Sequence, residues 1–439
     1  MDKFLEKNYK LIIVIICILG IIIRGIYITK NKIGENQYDS KIWSLYDLED
    51  YEEAYKFNET NIGSGGHMFY IMLLYKDFHL PDSAGGQYYH PPLHHFILAV
   101  WLRVMDVFPL NAMQKIESLQ IVSFIYSLLI ILFSYKILEK LKIGAKGKIL
   151  SMILLNFSTI FIYMSGFINN DTLLTLFIVM NLYYLIKWYE NPNWKNTVLV
   201  ALTLALGMNV KTSMIVMLLP AMLVYFKKLI DMVKNEEKYS KLIWELLVFA
   251  IIVAPLGLWH QIRLITNYDW ELFGVQMPYE HFSVKDATFW QRWGIISKEL
   301  IENTILVESK NIFAYVVNSS LYCLGTFSNA ISYIIKEFLL ILIFITILAI
   351  VKHSLNKNKE KVKSILIMTF IIWIIAFVYF NISMPFSCTM HSRYIGILFI
   401  IGMMILGVEV DKTKNQYWRL FIYLISILFS VLSTYIVLM

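Results

Sequence analysis

The chain has 439 residues, of which 58% are hydrophobic and only 16% are charged, and its mean hydropathy is +0.60. Soluble domains carry about 25% charged residues, so this composition excludes a soluble globular protein. The formal net charge of +7 does not indicate a nucleic-acid-binding face, because the lysines lie in short loops between apolar runs. Three scattered cysteines, Cys17, Cys323 and Cys388, exclude a disulfide framework and a metal knuckle.

The first predicted element is an apolar helix over residues 11–29, which follows Lys3, Lys7 and Lys10. It is too long for the core of a signal peptide and has no small-residue cleavage site after it, so we interpret it as a retained membrane span. Further apolar runs begin near Leu93, Glu117, Lys148, Thr172, Asn196, Thr212, Leu242, Ile331, Ser364, Tyr394 and Leu420. If every run crossed the membrane, lysines would lie on both sides of it, against the positive-inside rule.

The run over residues 92–108 is the exception that resolves this conflict. It is short, begins at a double proline and contains His94, His95, Arg103 and Asp106. An ordinary span is the alternative, but a helix at the outer surface places five lysine-bearing loops on the cytoplasmic side. These loops contain residues 136–148, 187–195, 227–241, 352–363 and 412–414. The sequence then predicts about eleven spans, with the N-terminus inside and the C-terminus outside.

The predicted fold is an all-α polytopic membrane protein with one membrane-embedded domain over residues 1–439. Two outer loops, residues 30–117 and 260–332, are expected to carry short helices beside the membrane. The second loop is rich in Trp, Tyr and Phe, as is typical of a helix at headgroup level. The chain has no clear repeat and no Gly/Ser linker that would indicate a separate soluble module.

With this topology, polar side chains from distant parts of the sequence meet at the outer membrane boundary. An ionisable residue at the end of a span is costly unless water, a partner or a ligand satisfies it, so the set indicates a site. The candidate residues are Asp39, Tyr89, His90, Asn170, Asp171, Lys211, Arg263, His391 and Arg393.

Most of these residues also have a simpler interpretation. Asp171 is suited to cap the helix that starts at Thr172, and Asp39 lies in a loop with many acids. Lys211 and Arg393 are long enough to reach the interface without any ligand. His90 and His94 have the i, i+4 spacing of metal ligands, but no glutamate follows them as in an HExxH zinc site.

The ordered set resembles the GT-C membrane glycosyltransferases, in the branch of protein O-mannosyltransferases and lipid A aminoarabinose transferases. That branch has an acid after the first span, a Tyr-rich stretch with His-Pro-Pro or Lys-Pro-Pro, a second acid two spans later, a Gly-Met/Leu-x-x-Lys/Thr turn and a late Arg-Tyr pair. The corresponding residues are Asp39, Tyr89-His90-Pro91-Pro92-Leu93, Asn170-Asp171, residues 207–212 and Arg393-Tyr394. The similarity covers residues 39–226 well and the last third loosely. It departs at Ser40, where most relatives have Glu, and at an insertion over residues 41–64.

The resemblance implies transfer of a glycosyl group from a polyprenyl-phosphate sugar to a protein, lipid or cell-envelope glycan on the outer face, with inversion. It implies that Asp39 is the base, that Asp171 orients a hydroxyl or holds a divalent metal with Asp39, and that His90 lies beside the carboxylate. It assigns the lipid phosphate to Arg393, with Lys211, His391 and Arg263 as further cations, and adds Tyr89 and Asn170 to the binding residues. Because the chain is rich in Ile, Lys and Asn, we expect a low-GC genome and a bacterial cell membrane.

Two other functions fit a chain of this composition. A transporter or flippase of lipid-linked sugars is expected to show inverted repeats and ionisable residues near mid-bilayer. A polymerase or ligase of such sugars also has a large outer loop, usually rich in arginine. The gathering of charges at the outer boundary and the lack of a repeat favour a transferase.

Overall fold

The computed structural model describes residues 2–33, 66–84, 86–236, 238–271, 274, 280–302, 309–322, 330–355 and 360–439. The described residues are helical, apart from turns and a single bridge between Ser283 and Phe386. The helices are α1 Asp2–Lys30, α2 His67–Lys76, α3 Leu93–Met105, α4 Ala112–Glu117, α5 Leu119–Lys140, α6 Ala145–Phe157, α7 Thr159–Met164, α8 Asp171–Glu190, α9 Trp194–Met208, α10 Leu218–Lys234, α11 Ser240–Tyr268, α12 Phe289–Trp293, α13 Lys298–Glu302, α14 Ile312–Tyr322, α15 Ala330–Leu355, α16 Lys361–Ser383, α17 Gly396–Lys412 and α18 Gln416–Leu438. The predicted all-α class is confirmed.

Nine helical segments of the described chain are long and apolar enough to cross a membrane, and the protein is an integral multi-pass membrane protein. Two of the eleven predicted spans do not form a single helix long enough to cross the membrane. One is divided at Ser158, whose extended backbone (φ −75°, ψ 135°) separates α6 from α7. The other is α9, with 15 residues, which spans about 22 Å of a hydrocarbon core that is about 30 Å thick. The count of eleven spans stays a prediction.

The segment predicted to stay at the surface forms helix α3. Its 13 residues extend over about 20 Å, too short to cross the hydrocarbon core. The chain before it and after it also meets on one side, since the Gln120 Nε2 atom donates to the Asn31 carbonyl at 3.0 Å and the Ile33 N–H donates to Glu117 Oε1 at 3.3 Å. These contacts support a segment that begins and ends on the same side of the membrane.

The chain divides into two compact units. The central unit contains Lys30–Ile130 and Ser165–Gln276, and the terminal unit contains Met1–Thr29, Ile131–Met164 and Met277–Met439. The single domain expected over residues 1–439 therefore stays a prediction.

In the central unit, α9 packs between α8 and α11, and α2 packs on α3. Gly207, near the end of α9, allows the chain to fold back tightly. A Cβ atom at this position would lie 2.6 Å from Cγ of Met214, in the 3-10 turn Thr212–Met217. This close approach positions the short turn of residues 209–211 between α9 and the next span.

In the terminal unit, α17 packs closely on α6, where Gly147 and Gly407 face each other with no room for a side chain. The division between α6 and α7 is stabilised by Arg24 of α1, which is fully buried. Its guanidinium donates to the carbonyls of Asn156 at 2.8 Å and Leu155 at 3.2 Å. These carbonyls lie at the end of α6, where they lack helical partners, so the helix break provides acceptors for both terminal nitrogens of a buried arginine.

Candidate active site

The central feature of the central unit is an ion pair between Asp171 and Lys211. The Lys211 Nζ atom lies 2.5 Å from Asp171 Oδ1, and the two side chains are 14% and 2% exposed. Asp171 is the first residue of α8, and the cap position before it is occupied by Asn170. The backbone N–H of Asp171 donates to Asn169 Oδ1 at 3.2 Å. The N-cap interpretation of Asp171 is therefore wrong, because its carboxylate is directed at Lys211 instead.

The first turn of α3 holds both loops that carry this pair. His94 Nε2 lies 2.7 Å from the Ile168 carbonyl, in the loop before Asp171. The neighbouring Leu93 N–H, which has no partner inside its own helix, donates at 3.0 Å to the Asn209 carbonyl in the loop before Lys211. The Asn170 Nδ2 atom joins the two loops by donating to the Val210 carbonyl at 3.2 Å.

A stack of buried histidines lies beside this pair. The His67 and His95 rings share one hydrogen bond, with 2.9 Å between Nδ1 and Nε2, and the His67 ring stacks on His90 at 5.7 Å between centroids. Tyr70 stacks on the other side of His95 at 4.3 Å. Burial lowers the pKa of His95 well below the usual 6.5, and the neighbouring histidines lower it further. The His95 ring is therefore neutral near pH 7.

His94 is neutral for a similar reason. Complete burial lowers its pKa to about 4, although the Ile168 carbonyl and the Asp171 carboxylate both favour the protonated ring. Because a carbonyl only accepts hydrogen bonds, Nε2 must carry the single ring proton. His94 is thus a fixed neutral donor to the loop of Asp171.

Several buried polar atoms of the central unit have no hydrogen-bond partner in the described structure. Both ring nitrogens of His260, Nη1 of Arg263 and Oδ1 of Asn170 are among them. The other guanidinium nitrogen of Arg263, Nη2, donates to the Pro81 carbonyl at 2.6 Å and to the Tyr268 hydroxyl at 3.0 Å. Buried polar atoms are nearly always paired, so these unpaired donors and acceptors are available to a polar ligand.

The structure brings six of the predicted residues into the central unit: Tyr89, His90, Asn170, Asp171, Lys211 and Arg263. The Tyr89 ring lies against His90, with 4.1 Å between centroids, and stacks on Trp270 at 6.0 Å. This aromatic wall is contiguous with the histidine stack, since His90 belongs to both.

The other predicted residues lie elsewhere. His391 and Arg393 occupy one turn of the terminal unit, where His391 Nδ1 accepts from the Arg393 N–H at 3.1 Å. The Arg393 guanidinium lies over the Tyr394 ring, 5.2 Å from its centroid. Asp39 lies outside the described residues.

Comparison with known proteins identifies the architecture. A family model described as dolichyl-phosphate-mannose-protein mannosyltransferase matches residues 89–259. The apo oligosaccharyltransferase of Archaeoglobus fulgidus is 14% identical with a TM-score of 0.51, over 97% of this chain and 55% of that one. The same archaeal enzyme, AglB, in complex with an inhibitory peptide and a dolichol-phosphate is 12% identical with a TM-score of 0.51, over 98% and 56%.

The chain has the GT-C fold. This confirms the resemblance drawn from its motifs. ArnT from Cupriavidus metallidurans, bound to undecaprenyl phosphate, is 14% identical with a TM-score of 0.41, over 75% of this chain and 51% of that one. No curated protein sequence matches significantly. The chain spans about half the length of the solved GT-C proteins that it matches.

Four histidines of the candidate site were not among the predicted site residues: His67, His94, His95 and His260. His94 and His95 were visible in the sequence as part of the run that begins at His90, but their separate roles were not. His260 lies three residues before the predicted Arg263, in the same polar cluster, and His67 follows Gly65-Gly66, but the sequence assigned neither histidine a role. Their positions depend on the packing of α2 and α11 in the central unit.

The divalent metal that the resemblance allows between Asp39 and Asp171 stays a prediction, because Asp39 lies outside the described residues. The described residues contain no group of three or more His, Cys, Asp or Glu side chains arranged to hold a metal ion. At Asp171 the position beside Oδ1 is taken by the Lys211 ammonium, which already compensates the charge that a cation would neutralise. The histidines also do not form a ligand set, since His90 stacks on His67 while His94 binds a backbone carbonyl.

Proposed function

We propose that this protein transfers a glycosyl group from a polyprenyl-phosphate-linked sugar to a hydroxyl of a protein, lipid or cell-envelope glycan, with inversion. The observation that carries the proposal is the buried Asp171–Lys211 pair beside unpartnered buried polar atoms, within one compact unit. The pair also lies within the segment that matches the mannosyltransferase family model. A transferase that moves a polar sugar at a membrane surface requires such a site.

The reaction has one bond-forming and one bond-breaking step at the anomeric carbon. The acceptor oxygen attacks this carbon, the bond from the carbon to the phosphate oxygen breaks, and the electron pair leaves with the lipid phosphate. The acceptor proton passes to a carboxylate, a role that we assign to Asp39. Asp171, with its charge supported by Lys211, accepts a hydrogen bond from a sugar or acceptor hydroxyl and orients it.

The leaving phosphate gains negative charge as the glycosidic bond breaks, so fixed cations and donors lower the barrier. In the central unit, the unpaired Arg263 Nη1 atom and the unpaired His260 ring nitrogens are suited to this role. Arg393 and His391 of the terminal unit are assigned as further phosphate-binding residues, since a guanidinium binds phosphate with two parallel hydrogen bonds. The dolichol-phosphate and inhibitory peptide bound by the archaeal enzyme are consistent with a lipid-phosphate donor and a polypeptide acceptor here.

The proposal is tested with the purified chain and a radiolabelled polyprenyl-phosphate mannose, in the presence of membrane extract as acceptor. We expect release of polyprenyl phosphate without any soluble nucleotide donor. Asp39→Asn is expected to lower this rate on the order of 100-fold or more. Asp47→Asn and Glu49→Gln, which change acids of the same loop, serve as controls and should retain the rate.

The same experiment distinguishes a transferase from a flippase of lipid-linked sugars. Proteoliposomes that move the labelled lipid to the other leaflet without cleaving it would contradict the transferase proposal. Equal rates for the wild type and Asp39→Asn, together with an inactive Asp47→Asn variant, would show that a different acid is the base.

A further inference from the structure

A second polar site lies in the terminal unit, at the ends of three membrane-spanning helices. A cleft of about 360 Å³ opens between α15, α17 and the start of α18. Lys352 lies in the last turn of α15, Glu409 is near the end of α17, and Asn415 immediately precedes α18. Because all three helices end at this level, the cleft lies where the hydrocarbon core gives way to the headgroups.

The walls of the cleft change character along its length. Toward the middle of the helices it is lined by Ile345, Leu348 and Ala349, and toward their ends by polar side chains together with Trp418. Leu348 is 46% exposed, whereas Ile345 and Ala349 are each 2% exposed. Tryptophan is enriched at the level of the headgroups, because its ring is apolar and its N–H is polar. An amphipathic molecule that lies along a helix, with one apolar and one polar end, matches this lining.

The polar end of the cleft offers an exposed ammonium donor to an anion. Glu409 is buried and is already bound on both oxygens by Lys352, at 2.7 and 3.0 Å, with His353 Nε2 3.3 Å away. These bonds use two of the three N–H groups of the Lys352 ammonium, and its side chain remains 58% exposed. The adjoining segment of residues 411–419 carries Asp411, Lys412, Lys414 and Arg419, and Lys412 is paired with Glu360. Lys352 therefore neutralises Glu409 and still offers a donor to a ligand.

Asn415 supplies a second donor. Its Oδ1 atom caps α18 by accepting from the N–H groups of Tyr417 and Trp418, at 3.0 and 3.2 Å. The amide nitrogen of the same side chain is then directed away from the cap, and Asn415 lines the cleft. A cleft between membrane helices that presents an exposed ammonium and an amide donor at headgroup level is suited to an anionic lipid headgroup.

We propose that this cleft binds an anionic glycerophospholipid, with the phosphate on Lys352 and Asn415 and an acyl chain along Ile345, Leu348 and Ala349. The lipid would join α15, α17 and α18 in the way a structural ligand does, by binding the folded state only. The site is independent of the sugar-transfer reaction and of the residues assigned to it.

The decisive variant is Asn415→Asp. Aspartate caps a helix as well as asparagine does, so α18 keeps its cap, while the amide donor is replaced by a negative charge that repels a phosphate. Asn111→Asp is the matched control, because Asn111 Oδ1 caps α4 by accepting from the Gln114 N–H at 2.8 Å and lies outside the cleft. Lys352→Gln is a second variant, which removes the cation.

The experiment uses the full chain in neutral detergent, with native mass spectrometry and thermal unfolding as readouts. We expect dioleoyl-phosphatidylglycerol to remain bound and to raise the unfolding midpoint more than dioleoyl-phosphatidylcholine does. Asn415→Asp and Lys352→Gln should weaken phosphatidylglycerol binding by about tenfold, a change of about 1.4 kcal/mol, while Asn111→Asp should not. Millimolar inorganic phosphate or glycerol phosphate should give no protection.

Three results would overturn the proposal. One is equal retention of the two lipids by the wild type, which would indicate non-specific lipid around the helices. Another is undiminished phosphatidylglycerol binding by both cleft variants. The third is equal protection by inorganic phosphate, which would make the cleft a simple anion site with no role for the acyl chain.

Discussion

The Nζ atom of Lys211 lies 2.5 Å from Oδ1 of Asp171, and both side chains are largely buried. The two residues are 40 positions apart in the sequence and are held in place by adjacent residues of α3, Leu93 and His94. The segment that follows the double proline thus positions the ion pair, although it contributes no charge to it.

The Asp171–Lys211 ion pair should be essential for sugar transfer, and this effect can be separated from its effect on folding stability. Asp171→Asn removes the carboxylate charge that faces the Lys211 ammonium, and breaking a buried pair costs about 3–5 kcal/mol of folding free energy. The double variant Asp171→Asn/Lys211→Met removes both charges and should recover much of the unfolding midpoint. It should still transfer sugar at most at about 1% of the wild-type rate. Recovery of activity together with stability would contradict a catalytic role for Asp171.

His94 is expected to act as a positioning residue, through its bond to the Ile168 carbonyl. A glutamine amide reaches about as far as Nε2 of histidine and also donates, so His94→Gln should retain most of the transfer rate. His94→Leu should lower kcat by about tenfold or more with little change in KM for the donor, because a misplaced Asp171 costs transition-state orientation. Trp101→Phe, which removes a bond from α3 to Ser118 at 2.9 Å, is the control and should be near wild type. Equal kcat values for the Gln and Leu variants would contradict this role.

Acidification should destabilise the folded protein through His94. The folded-state pKa of His94 is about 4, below its value of about 6.5 in the unfolded chain, so the unfolded chain takes up the proton first as the pH falls. Above about pH 6.5 the His94 ring is neutral in both states and costs no stability. Between there and pH 4 the free energy of unfolding falls by roughly 1 kcal/mol per pH unit, because the unfolded chain binds the proton more tightly. Unfolding midpoints between pH 7.5 and 4.5 should fall less steeply for His94→Gln than for the wild type. Trp101→Phe, which removes a bond of the same helix without changing a titratable group, should leave the slope unchanged.

Variants of Arg393 test whether this residue binds the lipid phosphate. If its guanidinium binds the leaving phosphate, Arg393→Lys keeps the charge but loses the planar fork, and kcat should fall by about tenfold or more. Arg103→Lys is the control, because Arg103 is exposed and donates to the Tyr75 carbonyl at 2.9 and 2.6 Å. Donor turnover near the wild-type rate for Arg393→Lys, with only Arg393→Ala poorly inserted, would remove Arg393 from the site.

The topology can be tested with single cysteines in a variant that lacks Cys17, Cys323 and Cys388. Because α3 is too short to cross, cysteines at Lys32 and Asn111 should react with an impermeant reagent from the outer side. A cysteine at Lys195 should react only after the membrane is permeabilised. Labelling of positions 32 and 111 from opposite sides would show that residues 92–108 do cross the membrane.

The Asp171–Lys211 ion pair separates what the sequence predicts from what it does not. The sequence predicts that Asp171 and Lys211 lie near membrane boundaries, because apolar runs long enough to span the bilayer end beside them. It does not contain the 2.5 Å contact, which depends on where α3 holds two separate loops. A motif such as Tyr89-His90-Pro91-Pro92 could therefore mark the region, while the partner of each side chain could not be assigned.

Local sequence by itself determined the membrane class, the helical fold and the approximate ends of most spans, since hydrophobic transfer and backbone satisfaction in lipid act on each segment separately. Only the tertiary structure decided that His67, His95 and His90 form one stack, that Arg24 satisfies the break between α6 and α7, and that Lys352 binds Glu409. These contacts join residues that are between 23 and 132 positions apart in the chain. The energies of these contacts depend on burial and distance, which are properties of packed helices. The residue pattern of a single helix does not reveal them.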